Sequence, residues 1–303
     1  MKLQNKALWA DAAILLTAII WGSAFVAQSV GMEYIGPFTY QTIRSFLGAV
    51  SLLPVIWAAN RRQKRAGTYR PMTGAERKKL WLAGLCCGLA LGVASMFQQV
   101  GVQYTTVGKA GFITAMYILI VPVLGLFFGK KVPLRTWGCI ALAAAGLYLL
   151  CMKDKLSLSM GDGFVGLCAL GFSVHILVVD HFAGKLDGLR LSCIQFFVAG
   201  LTSLVPMLLC ERPLDMGNIL AAWAPLLYGG VLSSGVGYTL QVLGQKDTKP
   251  AVASLLMSLE SVFAVLAGIV LLHQVPSARE AIGCVLMFVA IILAQLPGKT
   301  IEG

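Results

Sequence analysis

Apolar residues run along this chain in ten long stretches, with the polar residues gathered in short breaks between them. Each stretch approaches the roughly 20 residues that an α-helix needs to cross a hydrocarbon core. The spans read as Ala10–Ser29, Pro37–Ala58, Leu80–Val100, Val107–Gly129, Leu134–Cys151, Gly161–Val179, Leu189–Leu209, Ile219–Leu243, Pro250–Leu272 and Pro276–Leu296. In lipid each backbone must satisfy its own hydrogen bonds, so the stretches predict helices packed as a bundle. The eighth carries Pro225 and several glycines and is expected to break, while the tenth opens on Arg279 and Glu280, which blurs its start. On the fourth, Gly108, Gly111 and Gly125 are expected to let helices approach closely and Pro122 to kink the helix. Short connections predict that helices adjacent in sequence are neighbours in space.

The pattern then repeats. Val132-Pro133 followed by Gly138-Cys139 returns as Val275-Pro276 followed by Gly283-Cys284, at intervals of 276 − 133 = 143 and 283 − 138 = 145 residues. Gln99-Val100 likewise returns as Gln241-Val242, 142 residues on. Three words in one order at one spacing point to duplication of a five-helix unit. An odd number of spans per unit turns the second copy upside down. The predicted fold is therefore an all-α membrane protein of ten transmembrane helices in two inverted five-helix repeats, a plan found in many secondary transporters. The repeats read as residues 1–155 and 156–297, and residues 298–303 as a short tail resembling a leftover protease-site linker.

Composition agrees, at 58% hydrophobic and 12% charged residues and a mean hydropathy of +0.81, too apolar for a domain that wets its surface. A net charge of +11 would fit a nucleic-acid partner, but its distribution argues otherwise. The spans hold Arg44 and Lys109 and the outer segments Lys153, Lys155, Arg212 and Arg279; the remaining Lys and Arg lie on the side of the amino terminus. That bias predicts a multi-pass protein of an inner membrane with both termini cytoplasmic. The basic loop from Arg61 to Lys79 reads as a topology anchor touching anionic head groups, and no nucleic acid is expected as partner. The first apolar stretch is too long for a cleavable signal peptide. Eight cysteines at or within spans lack zinc spacing and a disulfide setting, and read as small packing residues.

No phosphate-cradling glycine loop, paired metal-spaced histidines or nucleophile elbow occurs, so no cofactor, metal or catalytic residue is expected. What remains is polar chemistry inside apolar spans, where charge is costly and marks a pathway or a partner. Glu260 lies mid-span in the ninth stretch, roughly 15 Å from either face. It is expected to form a structural ion pair with Arg44 of the second span or Lys109 of the fourth, to contact solute or proton, or to face a solvent-filled cavity. His175, near the cytoplasmic end of the sixth, suits proton shuttling or a hydrogen bond to a neighbouring helix. Asp11 and Asp162, at equivalent places in the two halves, are expected to cap helices. Trp21, Ser23, Gln98, Tyr117, Tyr238 and Gln241 each read first as helix packing or interface anchoring, and collectively they suit a cavity for a partly polar organic solute.

Trp21-Gly22-Ser23-Ala24-Phe25, Arg44, Pro122, the Gly138 to Gly146 segment and Ser258-Leu-Glu-Ser-Val-Phe-Ala264 together resemble the drug/metabolite transporter superfamily, in its EamA-like branch, up to about Pro297. Where many members carry a proline after the glutamate, and acids before the fifth and tenth spans, this chain has Ser261, Lys130 and Gln274. The resemblance implies export of an amino-acid-like or amphiphilic metabolite by alternating access, through a cavity formed by the first, third, fourth, sixth, eighth and ninth spans. Sugar-phosphate and nucleotide-sugar carriers share that architecture and are the alternative; a membrane sensor or membrane-embedded enzyme is less favoured. A small-molecule solute and the lipid bilayer are the implied partners, with proton coupling and a homodimer left open.

Overall fold

A computed structural model describes residues 2–105, 107–151, 159–272 and 277–295, and all regular structure among them is helical. In chain order the helices are α1 (Lys2–Met32), α2 (Pro37–Arg65), α3 (Gly74–Tyr104), α4 (Val107–Ala115), α5 (Tyr117–Phe127), α6 (Leu134–Cys151), α7 (Met160–Ala183), α8 (Gly188–Cys210), α9 (Met216–Ala221) and α10 (Trp223–Leu227). A π-helix (Tyr228–Tyr238) follows, then α11 (Thr239–Gln245), α12 (Pro250–Met257), α13 (Glu260–Leu272) and α14 (Ala278–Gln295). Among the described residues, 8 helical stretches are long and apolar enough to cross a membrane, and Leu134–Leu150 is a shorter apolar helix. Large apolar side chains such as Leu53, Val55, Trp57, Leu85 and Leu89 stay exposed on the outside of the bundle. In water that surface would drive aggregation, whereas lipid wets it.

Caps set the helix starts. Ser159 and Asp162 form a reciprocal capping box on α7, as Thr73 and Glu76 do on α3. Asp11 corrects its expected role: α1 begins at Lys2, so Asp11 lies inside the helix and accepts from Thr248 Oγ1 at 3.1 Å. Gly36 has no side chain to cap α2, and Glu211 from the end of α8 takes over. Its carboxylate accepts from Phe38 N at 2.9 Å, Thr39 N at 2.7 Å and Thr39 Oγ1 at 2.6 Å, placing an anion on a helix N-terminus.

Three spans are discontinuous. The fourth breaks at Met116, between α4 and α5, upstream of Pro122 rather than at it. The carbonyl that Pro122 leaves without its helical donor is that of Ile118, inside α5 and past the break, so the proline does not by itself set its position. The ninth breaks after α12, where Ser258 Oγ donates to Leu255 O at 2.7 Å and bends the helix away from a regular ladder. The eighth breaks at Ala222, with Pro225 tolerated in the first turn of α10, and its glycine-rich centre winds as the π-helix.

The main packing pairs are α1 with α13 and with α11 and the π-helix, α7 with α4, α5 and α3, α2 with α8 and the π-helix, α8 with α3, and α6 with α14. Exchanging the helices from α1 to α6 for those from α7 to α14 in chain order returns the same pairs. α6 and α14 meet through Gly146 and Gly283: a Cβ on Gly146 would lie 2.8 Å from Gly283 O, and one on Gly283 2.6 Å from Gly146 O. The glycines expected to do this on the fourth span do not. A Cβ at Gly111 would meet nothing within 4 Å, one at Gly125 only the Lys130 side chain at 3.7 Å, and Gly108 lies among residues whose side-chain surroundings are not described.

Candidate solute cavity

The polar residues singled out in separate spans converge. Trp21, Arg44, Gln98, Tyr117, His175, Tyr238, Gln241 and Glu260 all line one central cavity, together with Ala24, Phe25, Gln28, Thr114, Phe172, Ile176, Ser233 and Met257. Ser23 is not in the lining; it packs one step behind, its Oγ 2.5 Å from Tyr228 Oη. The side chain of Lys109 lies outside the described residues. Arg44 adds the second span to the six expected around the cavity.

The π-helix is what brings the eighth span against α1. Trp21 Nε1 donates to Ser233 O at 3.3 Å and Thr17 Oγ1 to Gly237 O at 3.0 Å, both carbonyls of the π-helix. Tyr238 ends that segment at the centre of an aromatic cluster, its ring 4.4 Å from Trp21, 5.3 Å from Phe196 and 6.0 Å from His175 between centroids. α1 meets the start of α13 at Gly22, where a Cβ would lie 2.6 Å from Glu260 O and 2.8 Å from Ala264 N. Only glycine fits there, since both obstacles are backbone.

Two ionisable groups face the cavity without neutralising each other. Glu260, 5% exposed, accepts from Tyr117 Oη at 3.0 Å, and no Lys or Arg among the described residues forms a salt bridge with it. The ion pair with Arg44 expected as one alternative is absent. Arg44, 3% exposed, lies with its guanidinium carbon 5.9 Å from the Tyr40 ring centre, and its Nη1 has no hydrogen-bond partner. Gln28 Oε1 and Gln241 Oε1, also in the lining, are unpartnered too. Other buried polar atoms, such as those of Gln99 and Ser192, also lack a side-chain or backbone partner; those of Arg44, Gln28 and Gln241 differ in lining the cavity, where polar atoms of a solute or of water can reach them. His175 is satisfied within the protein, with Nε2 3.2 Å from Gln195 Oε1 on α8.

Free space in the cavity is only about 40 Å³, enough for a few waters and far below the roughly 300 Å³ of an ordinary ligand pocket. On the side of Lys246 the cavity borders a short chain of bonds, Gln241 Nε2 donating to Gln245 Oε1 at 3.0 Å and Gln245 Nε2 to Ile176 O at 3.1 Å.

Sequence reasoning missed half of the lining, and the repeat held a signal for part of it. Tyr117 and Glu260, which touch, are 143 residues apart, the interval of the repeated words. The same interval carries Gln98 to Gln241 and Thr114 to Met257. In the first two helices of each half the caps Gly36 and Asp187 set an offset of 187 − 36 = 151. That offset carries Trp21 to Phe172, Ala24 to His175 and Phe25 to Ile176, all cavity positions. Gln28 and Ser233 have no such signal.

A helical bundle with an apolar exterior and a cavity at its centre that gathers ionisable and amide side chains is the build of a multi-pass membrane transporter. The EamA-like transporter family model matches residues 8–152 and again 159–296, and the chain belongs to that family. An "Uncharacterized transporter" of Archaeoglobus fulgidus is 27% identical over 96% of this chain and 87% of its own length. A "Probable terminal-alkyne amino-acid exporter" of Streptantibioticus cattleyicolor is 26% identical over 97% of this chain and 94% of its own. One solved crystal structure, 17% identical, superposes over 96% of this chain and 98% of its own with a TM-score of 0.75, a likeness of fold.

Proposed function

We propose that this protein is a secondary transporter or facilitator that exports an amino-acid-like zwitterion with an apolar tail by alternating access. The observation that carries the reading is the coexistence in one narrow cavity of a buried guanidinium with a free donor and a buried carboxylate, unpaired with each other. A carboxylate on the solute answers Arg44, an ammonium answers Glu260, and the aromatic walls from Trp21, Phe25, Phe172 and Tyr238 accept the tail. The exporter similarity in S. cattleyicolor supports the same chemistry. A sugar phosphate or nucleotide sugar fits less well, because one cation beside a carboxylate gives its doubly charged phosphate little net attraction.

The architecture belongs to the proposal: ten spans in two inverted repeats, residues 1–155 and 156–297, in an inner membrane with both termini cytoplasmic. Support comes from the interchange of packing pairs between halves and the two family matches. Alternating access would run through this cavity, with Glu260 and His175 the groups through which proton coupling would run.

The test is a thermal-shift screen of the purified protein against amino acids, nucleosides, sugar phosphates and cationic drugs, followed by flux of the hits in proteoliposomes with and without a pH gradient. Amino acids with apolar side chains should raise the melting temperature by mass action and be transported. Stabilisation by sugar phosphates alone, or binding without flux, would overturn the reading.

A further inference from the structure

A second and larger space of about 590 Å³ lies beside the central cavity, toward the end of the bundle that bears Lys130, Lys131, Lys246 and Lys249. Its walls come from α5, α7, α11, α12 and the connection after α5. Unlike the central cavity it is already large enough for a small organic ligand. The two are close. Leu177 in the chamber follows Ile176 in the cavity, and Val121 and Gln245 lie one helical turn, about 5 Å, beyond Tyr117 and Gln241. Between them run the bond from Gln241 to Gln245 and that from Gln245 to Ile176 O.

Its charge is unbalanced. Lys130 spans to Asp180 in an ion pair. That leaves the exposed Lys131, Lys246 and Lys249 against exposed Asp247, none of the four with an ion-pair partner among the described residues, and against the Asp11 carboxylate, which accepts from Thr248 Oγ1 of the lining at 3.1 Å. α12 begins at the chamber, with Lys249 as its N-cap and no side-chain cap on its first turn, so the positive end of a helix dipole adds to the lysines. A topology signal alone asks for lysines on this side of the membrane. It does not ask that three of them be unpaired around a ligand-sized space one turn from the transport cavity.

We propose that this chamber is a second binding site, which holds the carboxylate of a small organic solute before it passes the glutamine bonds. The proposal rests on the transport reading for its purpose, but its occupancy can be measured without transport.

The experiment acetylates lysines of the full chain in detergent with a water-soluble reagent and follows each lysine by peptide mass spectrometry. The probe is isophthalate, with the neutral isophthalamide as shape control. At about ten times its apparent dissociation constant, isophthalate should slow acetylation of Lys131, Lys246 and Lys249 about tenfold, as mass action requires. Exposed Lys78 and Lys79, near the start of α3, should not change, and isophthalamide should protect nothing. The double variant K246Q/K249Q should raise the isophthalate concentration needed to protect Lys131. No protection, equal protection of Lys78 and Lys79, or equal protection by the diamide would overturn the proposal. So would lysines already shielded without probe in phosphatidylglycerol nanodiscs, since the occupant would then be a lipid head group. In Glu260→Gln protection should persist although flux is lost; persistence without flux in the parent protein would refute transport and leave the chamber standing.

Discussion

Replacing Glu260 by Gln asks whether the buried carboxylate serves the solute or the scaffold. The side chain is 5% exposed and accepts one hydrogen bond, from Tyr117 Oη at 3.0 Å. Glutamine keeps the shape and that bond through its carbonyl. A structural ion pair, if broken, would strand a cation and cost about 3–5 kcal/mol. No cation among the described residues is paired to Glu260, so no such loss is expected, and relief of the carboxylate's desolvation offsets the weaker hydrogen bond. Stability should therefore stay within about 1 kcal/mol of the parent, a few degrees in melting temperature at most. The solute's ammonium does lose a charge-assisted partner worth about 1.5–3 kcal/mol, which is roughly a 10- to 150-fold fall in affinity. Tyr117→Phe is the contrast, because it leaves the acid without its donor and should destabilise by about 1–3 kcal/mol. The assay is proteoliposome flux of the best hit from the thermal-shift screen, with melting curves of each variant. Full flux in Glu260→Gln would remove this residue from the site, and a loss of several kcal/mol would return it to a structural role.

The remaining expectations are structural. Gly22→Ala puts a Cβ 2.6 Å from Glu260 O and 2.7 Å from Phe263 Cβ, so α1 and α13 must separate; melting should show a loss of about 1–3 kcal/mol, and a neutral result would mean the contact is looser than described. Glu211→Ala strips the α2 N-terminus of its carboxylate acceptor and should cost about 2 kcal/mol in denaturation, whereas Glu211→Gln should recover part of it. In sealed cells, with exposed Cys210 replaced by Ser, an impermeant maleimide should label Asp215→Cys and spare Lys64→Cys; strong labelling at Lys64 would invert the proposed topology.

Helix positions were legible in the sequence because lipid makes a local demand: a segment must be apolar for about 20 residues and bond its own backbone, whatever its neighbours do. For the same reason Glu260, Arg44 and His175 stood out, since a charge or imidazole inside such a run is conspicuous without any knowledge of the fold. Partnership was decided only in three dimensions. Spacing along a helix gives depth, but which side chain meets which depends on the rotation and crossing of helices far apart in sequence. So Glu260 could be given a depth from the sequence, yet its partner proved to be Tyr117, 143 residues away, rather than Arg44. The glycines show the same division. Gly111 looks like a packing residue on its own helix and faces open space, while Gly22 earns its place only because the backbone of α13 crosses it. The π-helix at Tyr228–Tyr238 is the furthest from sequence: its composition announces a weak α-helix, but only contact with α1 and α2 selects the wider winding that aims Ser233 O at Trp21 and brings Tyr238 into the cavity.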